Sequence, residues 1–282
     1  MDYVKNLISV VIPCYNRADV ILPCIQSVLS QSYGDIEVIV ADDGSTDGTE
    51  KLFDQLTDAR IRYCRYTPNH GACRARNFGA QRARGEYIAF QDSDDYWHTD
   101  KLQKELSALL DWDADFVFCG MNRVSPDGKK YYYPVNPFDN SADALPQLLM
   151  ENRAGTQTML MRREVWENVR FSEDFRRYQD WDFVLRVAAA GYKLHYLPQA
   201  LVESPVSAGS ISASVNSLPA LIHLYEAHRM EFDSRPQCLA RFYLRVSRRL
   251  KATDPFGAFR YYLKSVRTKM PAKTYKYSAR GG

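Results

Sequence analysis

The chain predicts an α/β fold, a doubly wound and mostly parallel sheet followed by a helical C-terminal extension. Short β-branched apolar runs alternate with helical patterns through the first 120 residues, and polar, mostly acidic loops follow three of those runs. The charge balance also changes sign near residue 220. Alternation of this kind is satisfied by parallel strands with crossover helices, and such sheets bind ligands at the carboxyl ends of their strands.

Taken in order, the runs Ile8 to Ile12, Ile36 to Ala41, Ile61 to Tyr63, Tyr87 to Phe90 and Phe116 to Cys119 read as strands buried on both faces. The intervening patterns Val20 to Leu29, Gly48 to Leu56, Ala72 to Ala83 and Lys101 to Leu110 read as helices. From 121 to 157 the pattern weakens, with a turn at Pro126-Asp127-Gly128 and an edge strand at Tyr131-Tyr132-Tyr133-Pro134. An apolar segment from Thr158 to Met161 leads to a helix from about Arg163. Another helix starts at Gln179 and ends before Gly191, and Tyr192 to Leu197 is a strand. Three helical patterns, at about 220–231, 237–250 and 255–268, precede a frayed tail that ends in Gly281-Gly282.

Apolar residues make up 45% of the 282 and charged residues 25%, which excludes collagen-like, disordered and coiled-coil classes. No stretch is long and apolar enough to span a membrane, and the run Leu7 to Ile12 is too short for a signal peptide, so a cytoplasmic location is expected. Six cysteines without a C-x-x-C pair read as reduced thiols, and no structural metal is expected. Residues 1–220 hold 23 Lys/Arg against 30 Asp/Glu, whereas 221–282 hold 14 against 4. A basic segment of that kind seeks something anionic.

The strand ends carry the chemistry. Asp92 and Asp94, two apart in an extended segment, point the same way and can share one hard cation. The same spacing also suits an acidic surface loop or a helix cap. Asp42 and Asp43 end the second strand, where a carboxylate can accept from a base N–H or a ribose hydroxyl, while Gly44 to Asp47 suit a turn and cap. Asp180 falls on the apolar side of its helix, with Phe183, Val184 and Val187. An inward carboxylate has a raised pKa and suits a general base, although a helix N-cap is the competing reading. Asp182 and Arg186 have the spacing of a surface ion pair. His195 reads as a packed histidine, Arg82 and Arg84 as solvated helix-end charges, and Trp97 and Trp181 as core aromatics, with a sugar-stacking wall as the alternative.

In this order, the residues resemble the family 2 glycosyltransferases of the GT-A fold. The matching run is Ser9-Val10-Val11-Ile12-Pro13-Cys14-Tyr15-Asn16, Ser27 to Tyr33, Asp42 to Asp47, Asn69-His70-Gly71, Ala75-Arg76-Asn77-Phe78-Gly79, Gly85 to Phe90 and Asp92-Ser93-Asp94-Asp95. The resemblance implies an inverting transfer of a sugar from a nucleoside diphosphate donor, a UDP-sugar first, to an acceptor hydroxyl. It implies Pro13 and Tyr15 beside the nucleobase, Asp43 on the base edge, Arg76 toward the nucleotide and Asp92 near the ribose or donor sugar. Asp94 would bind Mn2+ or Mg2+, and Asp180 would be the general base of the family's Glu-Asp pair. Gln179 stands where that Glu is usual, a departure that removes one charge. Glu203 to Ser212 resembles the closing loop of such domains but lacks the histidine often found there.

The expected division is a GT-A domain at about 1–215, its nucleotide-binding half at about 1–120 and acceptor half at about 121–215, then a basic extension at 216–282. The expected partners are the nucleotide-sugar donor, a saccharide or lipid-linked acceptor of surface polysaccharide or glycolipid assembly, and an anionic membrane surface met by 221–282. Nucleic acid is not among them. The competing readings are a catalytically impaired nucleotide-sugar-binding subunit, hinted at by Gln179, and a sugar nucleotidyltransferase. The latter would need a Gly- and Arg-rich phosphate loop where this chain has Pro13-Cys14-Tyr15-Asn16.

Overall fold

A computed structural model of the chain describes residues 3–136, 138–206 and 217–268. Contacts divide the chain into two compact units, Met1–Ala220 and Leu221–Gly282.

In the first unit the strands are β1 (Val4–Cys14), β2 (Ile36–Asp42), β3 (Ile61–Arg65), β4 (Gly85–Phe90), β5 (Tyr96–Trp97), β6 (Phe116–Val124), β7 (Lys130–Tyr133), β8 (Met159–Arg162) and β9 (Leu194–Pro205). The helices are α1 (Ile21–Leu29), α2 (Thr49–Phe53), α3 (Ala72–Ala80), α4 (Lys101–Asp111), α5 (Ala144–Met150), α6 (Arg163–Asn168) and α7 (Gln179–Ala189). The strands form one sheet in the order β3-β2-β1-β4-β8-β6-β9-β5, with β7 paired to β6. β1 to β4 run parallel, β8 is antiparallel to both β4 and β6, and β6 and β9 are parallel. The doubly wound, mostly parallel expectation is met.

β2 is buried along its whole length, as its β-branched run requires, and its register sets Cys14 opposite Asp42. Val11 lies opposite Phe90 on the other side of β1. The loops after β1, β2 and β4 therefore leave the sheet together. α3 lies close against β1 and β2 because Gly79 has no side chain; a Cβ there would stand 2.5 Å from Val11 Cγ1 and 3.2 Å from Ala41 Cβ.

Several details differ from the sequence reading. The strand expected at Tyr192 to Leu197 continues to Pro205, because the segment pairs with the whole of β6 and its far end takes β5 as an edge. Helix α5 and the two-residue β5 carried no readable period. Arg84 is not a free helix-end charge: its Nε meets Glu37 Oε2 at 3.0 Å, and Glu37 is buried. Arg82 lies over the Phe78 ring at 3.4 Å. Asp182 and Arg186 do pair, at 2.7 Å, but Asp182 is buried rather than on the surface. Lys101 and Glu105 on α4 are fully buried and paired at 2.6 Å, the ammonium 4.0 Å from the Trp97 ring centre.

The second unit is helical. α8 (Leu218–Ala227), which begins just before the division, is followed by α9 (Arg229–Asp233), α10 (Pro236–Leu250) and α11 (Pro255–Arg267). Where one period was expected at about 220–231 there are two helices, broken at His228. Phe232, Phe242 and Tyr225 pack as an aromatic core. The expected tail and residues 207–212 of the expected closing loop lie outside the described residues. No helix of the described residues is long and apolar enough to cross a membrane.

Candidate active site

Every predicted site residue lies on the edge of the sheet where β1, β2 and β4 end, or on the two helices beside it. The turn after β2 is built by its own acids. Asp42 Oδ1 accepts the Ser45 N–H at 2.7 Å, its other oxygen accepts the Tyr63 hydroxyl, and Gly44 turns the chain at φ +83. Asp47 accepts from Ala18 N and Thr49 N at 2.9 and 3.0 Å. Asp43 accepts the His70 and Gly71 N–H groups at 2.8 and 2.6 Å, so it holds the loop that opens α3. It is buried, as is Pro13 within β1. Tyr15, one step past the end of β1, is 45% exposed.

Arg76 joins the two halves of the site. It is 5% exposed, and Nη2 pairs with Asp92 Oδ1 at 2.7 Å while Nη1 donates to Gln179 Oε1 at 2.7 Å. Its guanidinium lies 5.4 Å from the Phe171 ring centre. Its neighbour Asn77 fixes α3 to the segment before α7: Nδ2 donates to Phe171 O at 2.8 Å, and Phe171 N donates to Oδ1 at 3.0 Å. α7 is entered through Tyr178 at φ +61, a left-handed conformation that costs a non-glycine residue about 1 kcal/mol and is concentrated at functional sites.

Asp180 stands in the first turn of α7, half-buried. Burial pushes its carboxyl above the usual carboxylate range. Hydrogen bonds from Asn152 and the Trp181 N–H and the charge of Arg76 pull the other way, and Asp92 adds to the rise. Asn152 Nδ2 donates to Oδ2 at 2.9 Å, and Asn152 is itself oriented by the Ala154 N–H on its Oδ1 at 3.3 Å. The carboxylate is thus aimed and raised in pKa, which is what a general base requires. Trp97 and Trp181 are core residues whose indole N–H groups donate to Gln157 O and Leu148 O, at 2.9 and 2.7 Å. Neither forms a sugar-stacking wall.

After β4, Asp92, Asp94 and Asp95 fall within four residues. Asp95 is buried, which pushes its pKa well up, and its two acidic neighbours add to that. The Asp94 side chain is 42% exposed, and its pKa is also raised, by burial first and then by Asp92. Arg17 Nη2 lies 3.8 Å from Asp94 Oδ2, and its Nε donates to Ser93 Oγ at 3.1 Å. Among the described residues no three His, Cys, Asp or Glu side chains converge as a protein cage for a metal. The exposed side chain of Asp94, with Asp92 two residues away, instead fits a divalent cation held by one or two acids, water and substrate phosphates, the manner in which Mg2+ is commonly bound.

Sequence reasoning left out Arg17 and Asn152 as site residues, whereas Asn77 reads from the sequence as an amide donor at the same edge. Arg17 was visible in principle, since it closes the first strand-end loop. Asn152 carried no signal, because it lies where the periodicity fades.

Three comparisons bear on this geometry. TuaG of Bacillus subtilis (strain 168), a glycosyltransferase named for teichuronic acid biosynthesis, is 34% identical over 214 residues, covering 74% of this chain and 83% of its own. The structure of S. aureus TarS 1-349 in complex with UDP-GlcNAc superposes with a TM-score of 0.69 at 18% identity, covering 92% of this chain and 79% of that one. The mannosyltransferase PcManGT from Pyrobaculum calidifontis, in complex with GDP-Man and Mn2+, superposes at 0.58 with 18% identity, covering 92% and 79%. The sequence pattern described as Glycosyl transferase family 2 matches residues 9–175. With the GT-A fold and the strand-end acids in place, the chain belongs to glycosyl transferase family 2.

Proposed function

We propose that this chain is an inverting glycosyltransferase that takes a hexosyl or N-acetylhexosaminyl group from a nucleoside diphosphate sugar, a UDP-sugar first, in surface polysaccharide or glycolipid assembly. TuaG's name supports the polymer class, and the UDP-GlcNAc bound to TarS supports the donor class. Membership of the family sets aside the sugar nucleotidyltransferase reading. The single observation that carries the proposal is the carboxylate of Asp180, recessed, raised in pKa and aimed by Asn152 beside the Arg76–Asp92 pair.

In this reading the acceptor O–H gives its proton to Asp180 as its oxygen forms a bond to the anomeric carbon. The bond from that carbon to the diphosphate oxygen breaks, and the nucleoside diphosphate leaves with the electron pair. One base and one displacement mean inversion, since a retaining reaction would need a second nucleophile or a front-face path. Tyr15, Pro13 and Asp43 are proposed to border the base, and Asp92 the ribose or donor sugar. Arg76 holds Asp92 in place and lends positive charge on the nucleotide side. A divalent cation, Mn2+ or Mg2+, would neutralise the departing diphosphate when bound, with Asp94 as its protein ligand, a contribution of several kcal/mol in such reactions.

The catalytic domain is proposed to span about 1–215 and the basic extension 216–282, with residence in the cytoplasm and peripheral contact with an anionic membrane face through 221–282. The acceptor is a saccharide or lipid-linked hydroxyl. An Asp180→Asn variant should lose turnover by about 10³-fold or more while still binding UDP with metal. The competing reading, a donor-binding subunit, rests on Gln179; if the parent chain turns over none of the UDP-, GDP- or dTDP-sugars with Mn2+ yet binds one of them, that reading replaces the enzyme.

A further inference from the structure

Helix α11 carries an apolar face that its own unit leaves uncovered. Phe256, Phe259, Tyr262 and Val266 are 74%, 57%, 48% and 55% exposed, whereas Ala258 and Ser265 are buried. At 100° per residue the four exposed residues fall within an arc of about 120°, and the buried pair lies outside that arc. A soluble helix ordinarily turns polar residues to that side, and an exposed apolar row marks an interaction surface.

The residues along the row say what it meets. Arg260 and Arg267 are exposed and project from the edge of the arc next to Phe256. Lys264 lies farther round, 5.5 Å from the Tyr243 ring centre of α10. From 236 to 268 there are eight Lys/Arg against one acid, Asp254, and that acid accepts the Gly257 N–H at 2.8 Å to cap α11. Aromatic rings in the middle and cations at the rim match a bilayer boundary, with acyl chains for the rings and anionic headgroups for the guanidinium groups. Charge complementarity thus selects a lipid surface over an uncharged partner.

We propose that α11 binds an anionic bilayer in the interfacial plane, with Phe256, Phe259, Tyr262 and Val266 buried in the acyl boundary and Arg260 and Arg267 on lipid phosphates. This deepens the peripheral-membrane part of the functional reading and does not depend on glycosyl transfer. The test is flotation of the full chain with phosphatidylglycerol–phosphatidylcholine vesicles and with phosphatidylcholine vesicles alone.

The parent chain should float only with the anionic vesicles. A Phe256→Ser/Phe259→Ser double variant should lose partitioning by about tenfold or more, with unchanged circular dichroism and unfolding midpoint. An Arg260→Glu/Arg267→Glu variant, equally folded, should lose it too. If the parent floats and the phenylalanine variant floats as well, the α11 face is wrong while membrane residence stands. If the parent does not float, both fall. If the parent self-associates, does not float, and becomes monomeric in the phenylalanine variant, the row is a protein interface and the proposal is overturned.

Discussion

Arg76 donates from Nη1 to Gln179 Oε1 at 2.7 Å, tying α3 to the first turn of the helix that carries Asp180. Its other terminal nitrogen is engaged by Asp92. With an uncharged amide at 179, the guanidinium keeps more of its field for Asp180, whose carboxylate it helps to ionise.

Gln179→Glu should therefore weaken the base at acidic pH. The new carboxylate takes part of the charge of Arg76 and adds a negative neighbour, and both effects raise the pKa of Asp180. A base works only when deprotonated, so kcat/KM falls as pH drops through that pKa, and the acid limb should move to higher pH. Activity should drop about threefold on the acid side and little at alkaline pH. An unmoved limb would show that residue 179 is not coupled to the base.

Asn152→Ala removes the hydrogen bond that favours the charged form of Asp180. The acid limb should again move up. Loss of aim should also lower kcat about tenfold or more at its optimum, with donor binding unchanged. Pre-steady-state measurement of both constants separates this from a folding defect, which would reduce the active fraction at every pH.

Chelation should abolish turnover and added Mn2+ or Mg2+ should restore it. Asp94→Ala should cost about 10²- to 10³-fold in kcat, the rate equivalent of several kcal/mol. Full activity of Asp94→Ala in the presence of chelator would remove Asp94 from the chemistry.

Away from the site, Glu37 anchors the opposite end of the sheet. Burial opposes its charge, but Ser9, the Arg84 N–H and the guanidinium groups of Arg62 and Arg84 prevail and hold it below its ordinary value of 4.5. Its ionised form therefore stabilises the fold above that value, and the stability is lost as pH falls through the lower folded pKa. Glu37→Gln should destabilise by about 3 kcal/mol at neutral pH, near the low end for a broken buried pair because the arginines stay partly solvated. Urea unfolding at neutral and at acidic pH should show the variant's deficit shrinking on acidification.

The parallel half of the sheet was legible because its strands are short apolar runs, β-branched in β1 and β2, and because three runs end in polar loops. Helical phase put Asp180 on the apolar side, with an N-cap as the competing reading, and the resemblance added its place in the Glu-Asp pair. From 121 to 157 the reading was partial: the edge strand expected at Tyr131-Tyr132-Tyr133-Pro134 is present as β7, but α5 and Asn152, like the two-residue β5 at Tyr96–Trp97, left no local period. Lys101 and Glu105 show the same limit, since nothing local marks two charges four residues apart as buried, whereas here each is the reason the other can be buried. Asp182 misled in the same way. Helix α11 shows the reverse, its period plain in the sequence but its exposed side visible only once Ala258 and Ser265 were placed.

The reciprocal amide contact of Asn77 with Phe171 holds α3 to the segment before α7 by two hydrogen bonds, beside the tie from Arg76 to Gln179. Anyone recombining this chain with a relative should inherit residues 71–80 and 168–182 from the same parent. Crossovers placed between them would separate segments that hold each other, and an exchange of 125–150 would also replace α5, whose Leu148 carbonyl accepts the indole N–H of Trp181 beside Asp180.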